Sequence, residues 1–194
     1  MTSPSVADRR SQRREQILTA AWEIAAEAGL AAVSLHEVAR RVGIRQPSLY
    51  GYVSSKLDLY DAMFAQAYEQ LLARLDAEPP TGTARQQLLR LSRTVLDFVV
   101  ANPPRQQLIF QRTIPGFEPS PASYALAQRL VDRCVGLLSA LGAGTPAHAD
   151  VYTALIGGLG AQQVANDPGG DRWTRHLESL LDVFLDHFVP ASSP

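Results

Sequence analysis

Apolar positions in this 194-residue chain recur at intervals of three and four almost throughout, the period of amphipathic helices. Ile17, Ala20, Ala21, Ile24, Ala25 and Ala28 form the first such stripe. Arg9, Arg10, Arg13 and Arg14 open it, and Gly29-Leu30 closes it as a glycine cap with its usual hydrophobic follower. Leu35, Val38, Ala39 and Val42 form a shorter stripe, with Ser34 and Glu37 at the spacing of a capping box and Gly43 at its end. Three residues later Gln46-Pro47 opens another helix, because proline is tolerated in a first turn where its missing N–H is not needed. Leu49 points back to the preceding helix and leaves Gln46, Pro47, Ser48, Tyr50 and Tyr52 outward. Two short helices crossing through a glycine turn form the unit that places its second helix in a DNA major groove.

Ser55 and Asp58 cap a longer helix that runs to about Asp76, and Pro79-Pro80-Thr81-Gly82 then breaks the chain. Helical periodicity resumes over 86–101, 104–112, 122–141, 147–166 and 172–189, each stretch bounded by Pro, Gly or Asn. Few runs alternate as strands do, and no internal repeat appears. The pattern predicts an all-α protein of about nine helices. Residues 1–64 form a three-helix helix-turn-helix domain with a mobile arm at 1–8, and residues 65–194 form a larger helical domain.

Charge adds little. The net charge is −1. Residues 1–60 carry eight Arg/Lys against six Asp/Glu, and the remainder carries ten against thirteen, so the halves differ only mildly. Cys134 is the single cysteine, which excludes an internal disulfide framework and a cysteine-based zinc site. The four histidines show no metal-ligand spacing, and Gly157-Gly158-Leu159-Gly160 lies within a helical pattern rather than after a strand, unlike a nucleotide-binding turn. No enzyme constellation, cofactor or metal is expected. No apolar run follows the N-terminal basic residues and no stretch reaches the length of a membrane span, which predicts a cytoplasmic protein without a membrane partner.

The stretch from Arg10 to about Phe64 resembles the DNA-binding domain of the TetR (tetracycline repressor) family. The resemblance is densest at Gly43-Ile44, Gln46-Pro47-Ser48-Leu49-Tyr50, Tyr52-Val53 and Ser55-Lys56 with Leu57 and Leu59. It implies that Gln46 reaches a base edge, that Pro47 and Tyr50 touch thymine methyls or backbone, and that Tyr52 and Lys56 hold phosphates. Gly51 stands where a large side chain often sits, and His36 where tetracycline repressors carry a base-reading Arg. The candidate DNA-contacting set is therefore Ser34, His36, Arg45, Gln46, Pro47, Ser48, Tyr50, Tyr52 and Lys56. His36 reads as a polar surface residue sooner than as a base reader, and the Arg9–Arg14 run equally as a solvated face or a phosphate contact.

Ala154, Gly158, Ala161 and Ala165 give a helix face with almost no side chains, and small faces let another helix approach closely. Together with Trp173, Leu177, Leu181 and Phe184 on a last helix that is apolar over a wide arc, they predict a two-fold four-helix interface. The resemblance implies dimerisation of this kind and a small-molecule cavity. Phe98, Leu108, Arg112, Tyr124, Tyr152 and Gln163 are candidate lining residues, with core packing or exposure as the alternative for each. The expected function is a homodimeric regulator on a pseudo-palindromic operator of double-stranded DNA, a repressor released by a small, largely apolar effector. The alternative is a constitutive DNA-binding or architectural protein without an effector.

Overall fold

The computed structural model describes residues 5–189 and, among them, contains helices, turns and no strand. The helices are α1 (Val6–Ala28), α2 (Leu35–Val42), α3 (Gln46–Leu49), α4 (Lys56–Ala77), α5 (Ala84–Val100), α6 (Pro103–Phe110), α7 (Pro121–Ala140), α8 (Pro146–Asn166) and α9 (Leu177–Phe188). Short 3-10 turns at Leu30–Ala32 and Thr174–His176 follow α1 and precede α9.

Two boundaries differ from the periodicity reading. Of the expected arm, residues 1–4 lie outside the described residues, but Val6, Ala7 and Asp8 are already helical. Ser5 Oγ accepts the Asp8 N–H at 3.1 Å while the Asp8 carboxylate accepts the Ser5 N–H at 2.9 Å. This capping box starts α1 through polar groups well ahead of the apolar stripe that begins at Ile17, which is why a search for apolar spacing passes over it. At the other end, the helix expected from residue 172 begins at Leu177, because the chain first makes the tighter turn of Thr174–His176.

α1, α2 and α3 pack around Ile17, Ala21, Val38, Leu49 and Val53, all nearly solvent-free. Truncating a buried leucine such as Leu49 to alanine typically costs about 2–5 kcal/mol. The stripe on α1 is broader than its alanines suggest. Leu18 and Trp22 are buried and Ala28 is exposed, because α1 also packs on α4 and α6. The Trp22 indole N–H donates to Gln66 Oε1 at 2.9 Å.

α5 lies at the centre of the larger domain, packed against α4, α6, α7, α8 and α9, with Leu88, Leu96, Phe98 and Val99 fully buried. α4 belongs to both halves. Its first turns carry Leu59, Tyr60 and Met63 under the helix-turn-helix, and its last turns carry Leu71 and Leu75 into the bundle. A polar tie reinforces the joint. The Asp61 carboxylate on α4 accepts the Ser120 N–H at 2.7 Å and the Ser120 and Ser123 hydroxyls at 2.8 Å, so one acidic side chain clamps the start of α7.

Candidate nucleic-acid interface and C-terminal cavity

Local signals in the sequence fix the angle between α2 and α3. Ser34 Oγ accepts the Glu37 N–H at 3.2 Å and caps α2. Only half of the expected capping box forms. The Glu37 carboxylate turns instead to Arg40 at 2.6 Å and Arg41 at 3.3 Å. Gly43 closes the helix with φ 71°, a left-handed conformation that costs glycine little. Its N–H donates to the Arg40 carbonyl at 3.3 Å, and the Ile44 N–H reaches back to the Ala39 carbonyl at 3.0 Å, the paired bonds of a Schellman motif. Arg45 is the N-cap of α3 without a capping side-chain bond, Pro47 occupies its first turn, and Leu49 points wholly inward.

This leaves Arg45, Pro47, Ser48 and Tyr50 exposed on one side, with Tyr50 at 51% of its full accessibility. Gln46 is half-buried beside them, and His36 is exposed near the start of α2. Tyr52 is half-buried and packs on the core, with the Arg10 guanidinium 5.8 Å above its ring. Arg10 also donates to the Gly51 carbonyl at 3.0 Å, so α1 holds the turn that follows α3. A Cβ at Gly51 would meet only the Ser48 carbonyl oxygen at 3.5 Å, an ordinary contact. The glycine is not demanded by space. It leaves the surface beside Tyr50 flat.

The basic residues divide into two groups. Arg40 and Arg41 are neutralised. Arg41 is paired with Glu27 as well as Glu37, and Glu37, held chiefly by Arg40 and then by Arg41, has its carboxyl lowered to about 2. Among the described residues no carboxylate pairs with Arg9, Arg14, Arg45 or Lys56. Lys56 stands in the first turn of α4, whose Ser55 Oγ caps the Asp58 N–H at 3.0 Å. Its ammonium donates one proton to the Ala31 carbonyl at 3.0 Å and lies 5.6 Å from the Tyr60 ring. Two of its three donors remain for an anion. Ser34 spends its oxygen on the cap but keeps its hydroxyl proton.

In the larger domain a cavity of about 250 Å³ is lined by Tyr68, Val95, Ile109, Phe110, Ala127, Leu130, Val131, Cys134, Ala149, Tyr152, Thr153 and Ile156. Of the six residues expected to line a pocket, only Tyr152 does. Phe98 is fully buried beneath the guanidiniums of Arg105, at 4.0 Å from its ring centre, and Arg74, at 4.9 Å. Leu108 belongs to the packed core. Arg112 is exposed and 3.9 Å from Glu118. Tyr124 is exposed on a groove of about 690 Å³ that adjoins the cavity. Gln163 is buried for a structural reason. Its amide oxygen accepts the Trp173 and Thr174 N–H groups at 2.8 and 3.3 Å, and its amide nitrogen donates to Asp167, pinning the turn between α8 and α9. Tyr68 was not foreseen, since it shares the apolar arc of α4 with ordinary core residues.

The residues expected at a subunit interface also divide. Ala154, Gly158 and Ala165 are exposed and Ala161 is half-buried. Trp173 is half-buried, but Leu177, Leu181 and Phe184 are already buried in the core of this chain. The apolar residues that α9 does present are Leu180 and Val183, the latter 66% exposed, and α8 adds Val151.

A capped, glycine-jointed pair of short helices, braced by a third and seated on a larger bundle, defines a helix-turn-helix protein. Residues 17–63 match the family model for bacterial regulatory proteins of the tetR family. The HTH-type transcriptional activator FasR of Mycolicibacterium smegmatis is 34% identical over 103 residues, 53% of this chain and 47% of the relative. Tetracycline repressor protein class D of Escherichia coli is 36% identical over 78 residues, 40% of this chain and 34% of the repressor. The chain thus spans about half or less of the length of these curated relatives. A tetR-family transcriptional regulator from Streptomyces coelicolor superposes with a TM-score of 0.69 at 24% identity, over 90% of this chain and 79% of that structure. That likeness shows the shared all-α fold. Among the described residues no helix is long and apolar enough to cross a membrane.

Proposed function

We propose that the chain is a DNA-binding transcriptional regulator that acts as a homodimer and whose hold on DNA responds to a small, largely apolar molecule. The observation that carries the DNA reading is the surface around α3. A half-exposed Tyr50 stands beside Arg45, Pro47 and Ser48, and among the described residues no carboxylate pairs with Arg45 or Lys56. Phosphates would compensate Arg45 and Lys56, while Gln46, at the head of α3, is positioned to meet a base edge. One such surface reads a half-site, and two related by a two-fold axis read a pseudo-palindrome.

Support for the dimer comes from the unpartnered apolar and small residues of α8 and α9, chiefly Val151, Ala154, Gly158, Leu180 and Val183. Exposed apolar patches of this kind mark interaction surfaces. The cavity favours a ligand response over a constitutive or architectural role, since a purely structural bundle gains from filling such a space. The experiment is selection of binding sites from random duplexes. A two-fold symmetric motif is expected, and Gln46→Ala relaxes one base pair in each half-site by about 1–3 kcal/mol. Recovery of unselected sequence, or of the same motif from the mutant, overturns the base-reading assignment.

A further inference from the structure

The cavity lies between α4, α5, α6, α7 and α8, and none of its lining side chains is Asp, Glu, His, Lys or Arg. Nearby cations are engaged elsewhere. Arg133 on α7 bonds Asp76 at 2.7 Å and the Leu75 carbonyl at 2.9 Å, and Arg105 on α6 lies over Phe98. Burial pushes the Cys134 thiol up to about 11 and raises the Tyr68 and Tyr152 phenols above their ordinary range, so the wall is neutral at physiological pH. An anion entering it would lose its water and gain no compensating charge.

Of the wall's three hydroxyls, Thr153 is exposed where the cavity meets the outer groove, and Tyr68 and Tyr152 are buried. Ser92 Oγ lies 2.7 Å from both the Leu88 carbonyl oxygen and the Tyr152 hydroxyl, and with its own proton on the carbonyl it accepts from Tyr152. That bond engages the Tyr152 hydroxyl with Ser92. The Tyr68 hydroxyl has no hydrogen-bond partner among the described residues, although Tyr68 is buried and lines the cavity. Tyr68 also stands on α4, the helix that underlies the DNA-binding domain. Its ring lies 4.8 Å from Phe64, Phe64 and Tyr60 both flank Phe117, and the Tyr60 hydroxyl donates to the Leu30 carbonyl at 2.6 Å. Tyr60, Phe64 and Tyr68 are four residues apart and so share one face of α4.

We infer that the cavity takes an uncharged, compact, largely apolar molecule whose single oxygen hydrogen-bonds the Tyr68 hydroxyl. A dry cavity of about 150 Å³ holds benzene, so 250 Å³ corresponds in proportion to about ten non-hydrogen atoms. Tyr68 is then the residue that selects a polar function over a plain hydrocarbon, and the aromatic row on α4 carries its displacement towards Leu30. This assignment rests on the proposed ligand response and adds the chemical class and the contact.

The test is calorimetry on the full chain without DNA, using three probes of similar size. These are para-propylphenol, para-propyltoluene with a methyl in place of the hydroxyl, and para-ethylbenzoate with a carboxylate. The phenol is expected to bind and the benzoate to be excluded. Tyr68→Phe keeps the ring and deletes only the hydroxyl. It should weaken the phenol about tenfold, the worth of one hydrogen bond, and leave the toluene unchanged. Benzoate binding as tightly as the phenol, an unchanged phenol affinity in Tyr68→Phe, or no binding of the phenol would each overturn the assignment. Duplex binding, measured separately by anisotropy, keeps the two readings apart. A protein that holds DNA but ignores the phenol refutes the ligand class alone, and one that binds the phenol but no duplex refutes the regulatory reading.

Discussion

Gly158 separates packing within a subunit from packing between subunits. Three glycines in about one turn of α8 face different ways. A Cβ at Gly157 would sit 3.5 Å from Phe110 Cδ1, and one at Gly160 would sit 3.5 Å from Val99 Cγ2 and 3.6 Å from Leu96 Cδ2. At Gly158 a Cβ would meet nothing within 4 Å. Within one subunit, Gly158→Leu therefore creates no clash at Cβ and adds about 1 kcal/mol of helix propensity. In the proposed dimer the same leucine enters a close helix contact. Overpacking costs about 1–3 kcal/mol per site, and a two-fold axis applies it twice. The dimer dissociation constant should rise by about one to four decades. Sedimentation velocity over a concentration series reads that constant, and circular dichroism reads the helix content, which should be unchanged. Gly160→Leu is the contrasting control, because its neighbours lie inside the subunit and the melt itself should fall. Intact Gly158→Leu dimers refute the interface, and a monomer that has lost its helicity refutes the clearance argument.

Lys56→Ala should weaken all duplexes alike and lower the slope of log K against log salt by about 0.9 per lost phosphate contact, near two units for a dimer; parallel slopes would take Lys56 off the phosphate. Glu37 gives a pH dependence of defined sign. Its carboxyl lies at about 2 in the folded chain against an ordinary 4.5, so its contribution is complete above pH 4.5 and is lost as pH falls from there towards 2. Glu37→Gln should remove that part of the acid destabilisation, and mutant and wild-type acid titrations that overlay between those values would contradict it. Asp61→Ala deletes three hydrogen bonds from a half-buried carboxylate and should cost about 2–4 kcal/mol, or about 5–15 °C of melting temperature. Asp61→Asn should fall between, since its NH₂ cannot accept, and a melt within about 2 °C of wild type for the alanine variant would show that water replaces the carboxylate.

The helix-turn-helix was legible because each of its decisions is local. Ser34, Gly43, Pro47 and Ser55 are caps and first-turn residues whose chemistry acts within four positions of the chain. Glu37 shows the limit of that locality. Its spacing fits a capping box, but Arg41 brings Glu27 of another helix into the same network and the carboxylate follows the arginines. The larger domain was legible as helices and not as faces. Leu177, Leu181, Phe184 and Leu185 on α9 recur at helical spacing, but so do Leu180 and Val183 on the adjoining arc. Periodicity reports an apolar arc without saying which neighbour covers it. Gln163 and Tyr68 failed in opposite ways. A polar amide expected at a ligand proved to be the peg of a turn, while an aromatic that drew no expectation borders the cavity. A cavity is an absence of atoms between several helices, and no single segment encodes it.

α8 relates the proposed ligand site to the proposed interface. Tyr152 and Ile156 border the cavity, Ala154 and Gly158 face outward, and the outer groove shares Phe110, Val131, Ala149 and Thr153 with the cavity. A ligand that displaces α8 therefore acts directly on the surface where a second subunit would pack. The opposite wall leads to the proposed DNA face. From Tyr68 to Lys56 α4 runs twelve residues, about 18 Å of helix. A tilt of about 10° pivoted at Tyr68 moves the Lys56 end by about 3 Å, close to the rise of about 3.4 Å per base pair along each strand. A two-fold axis can double the change between recognition helices, whose spacing must match successive major grooves about 34 Å apart. The ligand need only favour the tilted arrangement by about 1–3 kcal/mol to change DNA occupancy by roughly 5- to 150-fold. One hydrogen bond to Tyr68, formed in one arrangement and strained in the other, lies within that range.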